Sequence, residues 1–166
     1  MKKTRFASLM AMLLCCIMIA LSGCNKSSRH DRDDDDEDEK VSQYSETAAQ
    51  KMLDKNERGK LTKDDYSTCI DWLEQGYTEL YNKLNSCIES SSSEAEFYDN
   101  CMKLTDQIQA KYPNMQGIND ILDKADEEEM GPANYRRYNS VYEKFDKKLE
   151  KLQQKAETKF PSSEYQ

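Results

Sequence analysis

Cysteine supplies most of the reactive chemistry in this chain. Six of its 166 residues are Cys, against a single His. A thiol can act as a nucleophile, a metal ligand or half of a disulfide. Cys15 and Cys16 lie within an uncharged apolar run, Phe6 to Leu21, and Cys24 follows shortly after it. Cys69, Cys87 and Cys101 lie in a later, helix-patterned region. His30, the only histidine, falls in a stretch of charged residues and reads as a linker residue. The patterned region therefore has no His for a Ser-His-Asp or Cys-His nucleophile, and none for a Cys/His metal site. Gly totals five, and no Gly-rich phosphate loop is present. Acidic pairs such as Asp64-Asp65 and the run Glu127-Glu128-Glu129 are solvated surface charge by default. A narrow helical bundle also gives two carboxylates little cleft for glycoside hydrolysis. No enzyme is expected.

The chemistry with the clearest pattern is at the start. Lys2, Lys3 and Arg5 form a positive N-terminus ahead of the apolar run. That order is the n-region and h-region of a signal peptide. The run falls short of the ~20 apolar residues that a spanning helix requires. Asn25 to Lys40 is entirely polar or charged. Leu21-Ser22-Gly23-Cys24 resembles the lipobox of bacterial lipoproteins: a bulky aliphatic residue, two small residues and Cys. The resemblance implies cleavage before Cys24, a diacylglyceryl group on its thiol and an acyl chain on its new amino group. Small residues let the chain enter the protease cleft, and the thiol takes the lipid. Each buried acyl CH₂ contributes about 0.8 kcal/mol, so several chains anchor stably. In that family an Asp after the Cys favours inner-membrane retention. Asn25 stands there instead, which points to the outer membrane, on its periplasmic or external face.

The expected organisation is a cleaved signal peptide over 1–23, the lipidated Cys24 with an acidic tether over 24–40, a helical domain over 41–160 and a tail over 161–166. The whole chain has a formal charge of -8. Losing the three positive charges of Lys2, Lys3 and Arg5 takes it to about -11. That balance argues against a nucleic-acid partner. The tether contains Asp33-Asp34-Asp35-Asp36-Glu37-Asp38-Glu39, which self-repels and extends.

A second pattern that could do chemistry is Asp54 to Asp65. It resembles the twelve-residue calcium loop of EF-hands. Asp54, Asn56 and Asp65 fall at positions one, three and twelve, Gly59 at the sharp turn, Leu61 at the apolar position eight. Lys60 and Thr62 fall at ligand positions seven and nine. Arg58 departs from the pattern, because position five should offer oxygen. The same residues also read as a plain helix start, with Thr62 as N-cap and Asp65 at N3. The resemblance makes a calcium-responsive module the alternative function. No other cofactor is expected.

The elements that must position these residues are helices. Charged residues are 34% of the chain, and Gly and Pro are scarce. A first helix is expected from about Ser42 to Leu53. Tyr66, Ile70, Leu73, Tyr77, Leu80, Leu84 and Cys87 alternate steps of four and three, which predicts a long helix over about 63–89. Gly76 within it permits a close helix approach. Ser93 and Glu96 form a capping box for a third helix that stops at Tyr112-Pro113. A shorter helix follows over about 114–128, and Pro132 opens a last one running to about Lys159. The fold expected is all-α, a small antiparallel bundle of about four to five helices. Cys87 and Cys101 sit on adjacent seams but miss facing each other by about 7 Å at 1.5 Å per residue. Buried thiols are expected there, with a Cys87–Cys101 disulfide as the alternative. Ten tyrosines read as core residues whose hydroxyls reach the rim, and any surplus would form a face for a protein or glycan. The overall expectation is a lipid-anchored envelope protein with a non-enzymatic interaction or structural domain.

Overall fold

A computed structural model describes residues 43–161. Over that range the chain is an all-α bundle of six helices. They are α1 (Glu46–Glu57), α2 (Lys63–Ser90), α3 (Glu94–Lys111), α4 (Met115–Lys124), α5 (Glu127–Met130) and α6 (Pro132–Lys159). The expected signal peptide, Cys24 and the expected acidic tether lie outside the described residues.

Local sequence sets most of the helix ends. Ser45 caps α1, its Oγ accepting from the Ala48 amide at 3.2 Å. At the other end Lys60 N donates to Lys55 O and Gly59 N to Asn56 O. That pair of bonds is a Schellman turn, which needs a left-handed residue after the cap. Gly59 provides it at φ 63°. The first helix therefore runs past the expected Leu53 end to Glu57 and takes Asp54 and Asn56 into its last turns. Thr62 and Asp65 close a reciprocal capping box on α2. The box expected at α3 is shifted. Ser93 Oγ accepts from Glu96 N as expected, but the Glu96 carboxylate reaches back to Ser92 N and Ser92 Oγ, at 2.7 and 2.5 Å.

The expected fourth helix divides in two. Ala125 is extended at φ -78°, ψ 137°, and Asp126 then starts a new capping box with Glu129. Asp126 Oδ1 accepts from both Glu128 N and Glu129 N, which satisfies donors a continuous helix would have bonded to its own carbonyls. Gly131 at φ 82° turns the chain into α6, with Pro132 at its first position.

α2 is the axis of the bundle. It packs against α6, α3, α4 and α5, while α1 lies on α4. The polar contacts give the directions. Glu79 of α2 meets Lys111 and Tyr112 at the end of α3, so these two helices are antiparallel. Lys63 meets Asn134, Asp71 and Glu74 meet Arg137, and Asn85 and Glu89 meet Lys155. Both numbers rise together, so α6 runs parallel to α2. The chain goes out along α2, returns in three pieces as α3, α4 and α5, and goes out again as α6.

The seam read from the heptad pattern is buried from Tyr66 to Leu84, with Trp72 and Ile88 added. Tyr77 stacks on Phe145 of α6 with ring centroids 4.1 Å apart and lies edge-on to Tyr142. Met115 Cε of α4 sits 3.3 Å from where a side-chain carbon on Gly76 would be, so Gly76 does admit a close neighbour. Phe145→Ala should remove the centre of the α2–α6 contact and cost about 3–5 kcal/mol. Urea unfolding followed by circular dichroism would register that loss, and a change under about 1 kcal/mol would show that the stack is peripheral.

Candidate functional site

The calcium-loop residues come together only in part. Asp54 is helical and its Oδ1 accepts from Gln50 Nε2 at 2.9 Å, one turn back in α1. Asn56 is also helical, and its carbonyl is used by Gly59. Asp65 is buried, and both of its oxygens are engaged. Oδ2 accepts from Thr62 N and Thr62 Oγ1, each at 2.8 Å, and Oδ1 from Lys55 Nζ at 3.0 Å. The cation facing Asp65 is thus the chain's own Lys55. Lys60 closes the Schellman turn and Thr62 opens the capping box, its Oγ1 accepting from Asp65 N at 3.2 Å. Gly59 supplies the left-handed residue that ends α1. Among the described residues no group of three or more His, Cys, Asp or Glu is placed to hold a metal ion.

The Asp65 knot carries an electrostatic consequence. Partial burial works to raise its pKa, but the Thr62 hydrogen bonds and the Lys55 contact outweigh it and hold the carboxyl below its usual value. Glu79 behaves in the same way. Burial pushes it up, and the hydrogen bonds from Lys111 and Tyr112 with the Lys111 and Lys83 charges bring it below normal.

Glu79 also belongs to a surface depression, a trough of about 620 Å³ along the outer stripe of α2 between Glu74 and Ser86. Gln75, Thr78, Asn82 and Lys83 contribute to its lining. One helix supplies all of it, so the trough is open. Ligand pockets are usually enclosed. Gln75 Oε1 accepts from Tyr44 N at 3.5 Å, and Glu79 is taken by Lys111 and Tyr112, so part of the lining is already in structural use.

The tyrosines are straps. Tyr112 OH donates to Glu79 at 2.7 Å, Tyr142 OH to Asn119 Oδ1 at 2.6 Å, and Tyr138 OH to Asp123. Tyr44 OH accepts from Asn114 N at 3.2 Å. In these four the ring is in or against the core and the hydroxyl ties a second element at the rim, which agrees with the reading of such residues from sequence. Tyr98 is placed differently. It is 43% exposed on α3, one turn from Met102 at 44%. Trp72 is fully buried, and its Nε1 is the one buried side-chain polar atom without a partner among the described residues. Nothing in its surroundings accounts for that.

The remaining thiols are free. Cys69 and Cys101 are buried and Cys87 is half-buried. Burial pushes the Cys69 thiol up to about 12, with Asp65 adding to the shift. Cys87 and Cys101 lie close enough for each thiol to influence the other's ionisation. The expected offset between them is absorbed by Ser91 to Ser93. Ser91 and Ser93 are extended, at ψ 135° and 163°. Extended residues advance about 3.3 Å each, so two or three of them cover the 7 Å that a compact loop would leave. Neither known protein families, nor curated proteins, nor solved structures include a match to this chain.

Two outcomes follow. Thr62→Ala should cost about 1 kcal/mol of stability, and added calcium should give no calorimetric heat and no gain in Tm. A calcium-dependent rise would require α1 to unwind at Asp54. The pH profile is the second. A carboxyl with a lowered folded pKa adds stability that is complete above its unfolded value, about 4, and is lost as pH falls through the folded value. Tm should therefore hold steady from neutral pH to about 5 and fall below about 4. Asp65→Asn and Glu79→Gln should each shrink that fall, and an unchanged acid limb in both would remove these groups from the account.

Proposed function

We propose that this chain is a lipid-anchored protein of a bacterial cell envelope, held in the outer membrane through Cys24, with a non-enzymatic helical domain that engages a protein or glycan. The observation that carries the reading is Leu21-Ser22-Gly23-Cys24, standing after a basic start and an uncharged run and before sixteen polar or charged residues. Every part of that order is what lipidation at Cys24 requires. The apolar run is too short to span on its own.

Several features of the folded part support the reading. Among the described residues no helix is long and apolar enough to cross a membrane. The carboxylates that could have paired for acid–base work are committed to caps and cross-helix bonds, as Asp65, Glu79, Asp123 and Asp126 illustrate. Tyr98 and Met102 leave a small apolar patch on the outer face of α3, a type of surface that is enriched at protein contacts. Residues 24–40 act as the spacer that carries the domain away from the bilayer, since like charges extend a chain.

The test is Cys24→Ala, expressed in a Gram-negative host and followed by fractionation. Wild-type chain should pellet with outer membranes and the variant should accumulate as an uncleaved precursor. Equal processing and equal membrane recovery would refute the anchor. Protease shaving of intact cells then separates an external domain, which is digested, from a periplasmic one, which is protected.

A further inference from the structure

We propose that Cys87 and Cys101 are a redox pair, forming a reversible disulfide that ties the last turn of α2 to the second turn of α3. Two linked contacts through the Ser91 hydroxyl bring these turns together. Ser91 Oγ donates to Cys87 O at 2.7 Å, and Asn100 Nδ2 donates to Ser91 Oγ at 3.0 Å, so the residue beside Cys101 is fixed to the backbone of Cys87. Each thiol also influences the other's ionisation, as neighbouring sulfurs do. Their environments differ in the way a two-step exchange needs. Cys87 is half-exposed and one helical turn from Lys83; burial pushes its thiol up, but less far than that of Cys101, because Cys101 and the Lys83 charge work against the shift. Cys101 is fully buried behind it. Cys69 is buried on the same helix, eighteen residues earlier, and is not in contact with either.

The chemistry is thiol–disulfide exchange with a disulfide-bearing oxidant, either a small-molecule disulfide or the disulfide form of a thiol oxidoreductase. The Cys87 thiolate attacks one sulfur of the oxidant, the oxidant's S–S bond breaks, and the first half leaves as a thiol after taking a proton. The Cys101 sulfur, losing its proton to solvent, then attacks Cys87 Sγ and expels the second half. Two protein thiols become one disulfide, and the oxidant is reduced to two thiols. The closed ring would include the Ser91–Ser93 connection. It would hold α3, and with it Tyr98 and Met102, on α2. The proposal stands on the folded domain and is independent of the anchor at Cys24.

Trypsin makes the test direct. Cleavage after Lys83 and Lys103 leaves both cysteines in one peptide, 84–103. The reduced full chain is incubated with oxidised glutathione, quenched in acid, denatured, alkylated and digested. Peptide 84–103 should escape alkylation and be two hydrogens lighter, while Cys69 is alkylated. Tm should rise by about 5–10 °C and return on reduction. In Cys101→Ala the exchange should stop at glutathione on Cys87. Overturning results are a doubly alkylated 84–103, a stable glutathione adduct on Cys87 in the wild-type chain, or a link from either residue to Cys24 or Cys69. The wild-type peptide decides the question even if Cys101→Ala fails to fold.

Discussion

The structure depends on burying one helix. α2 presents apolar side chains on the seam from Tyr66 to Leu84 and again on the flank that carries Trp72. Such a helix cannot be satisfied by a single neighbour. It needs cover along its whole length from more than one side. The chain meets that demand asymmetrically. α6 covers it as an equally long, parallel partner, and the return path covers it in three segments. Tyr112-Pro113 and Ala125-Asp126 are the points at which that return path bends. Because the path is broken, each segment can settle on its own part of α2, and α4 can approach closely enough to place Met115 against Gly76.

The polar side chains then hold the cover in place. A narrow bundle with this much charge has little apolar area to spare, so the rim contributes. Tyr112, Tyr138 and Tyr142 pack their rings inside and donate outward to Glu79, Asp123 and Asn119. Arg137 spans to Asp71 and Glu74 at 2.5 and 3.1 Å. Lys159 Nζ donates to the free carbonyls of Ile88 and Glu89 near the end of α2, at 2.7 Å each. That contact satisfies acceptors every helix end leaves open. Exposed ion pairs add little singly. Their value here is directional, since they fix α6 parallel to α2 and in register with it.

What could be read from residue order follows the reach of each interaction. The seam of α2, the Pro132 start of α6 and the Tyr112-Pro113 stop depend on neighbours within a turn or two, and the expected and observed limits of α2 differ by one residue at its C-terminal end. The loop at Asp54 illustrates the opposite case. Gly59 fits a calcium loop and a Schellman turn equally well by sequence, and only the Lys60–Lys55 and Gly59–Asn56 bonds distinguish them. Lys55, placed between two pattern positions, carried no signal that it would neutralise Asp65. The meeting of Cys87 with Cys101 was hidden for a related reason. It is set by how far the extended Ser91–Ser93 connection shifts one helix along another. Nothing in the period of a helix encodes that shift.

In the proposed reading, the anchor at Cys24 and the helical domain are separate physical problems, joined by a stretch of charged sequence. The domain needs no membrane to bury its core, and the lipid would need nothing from the bundle to hold the bilayer. The central claim therefore rests on one atom, Cys24 Sγ. Its direct measurement is the intact mass of the chain extracted from bacterial membranes, with fragmentation of the N-terminal peptide. The account predicts a chain beginning at Cys24 that carries a diacylglyceryl group on sulfur and an acyl group on nitrogen. A chain that retains Met1 to Gly23, or one that begins elsewhere with an unmodified Cys24, would contradict it.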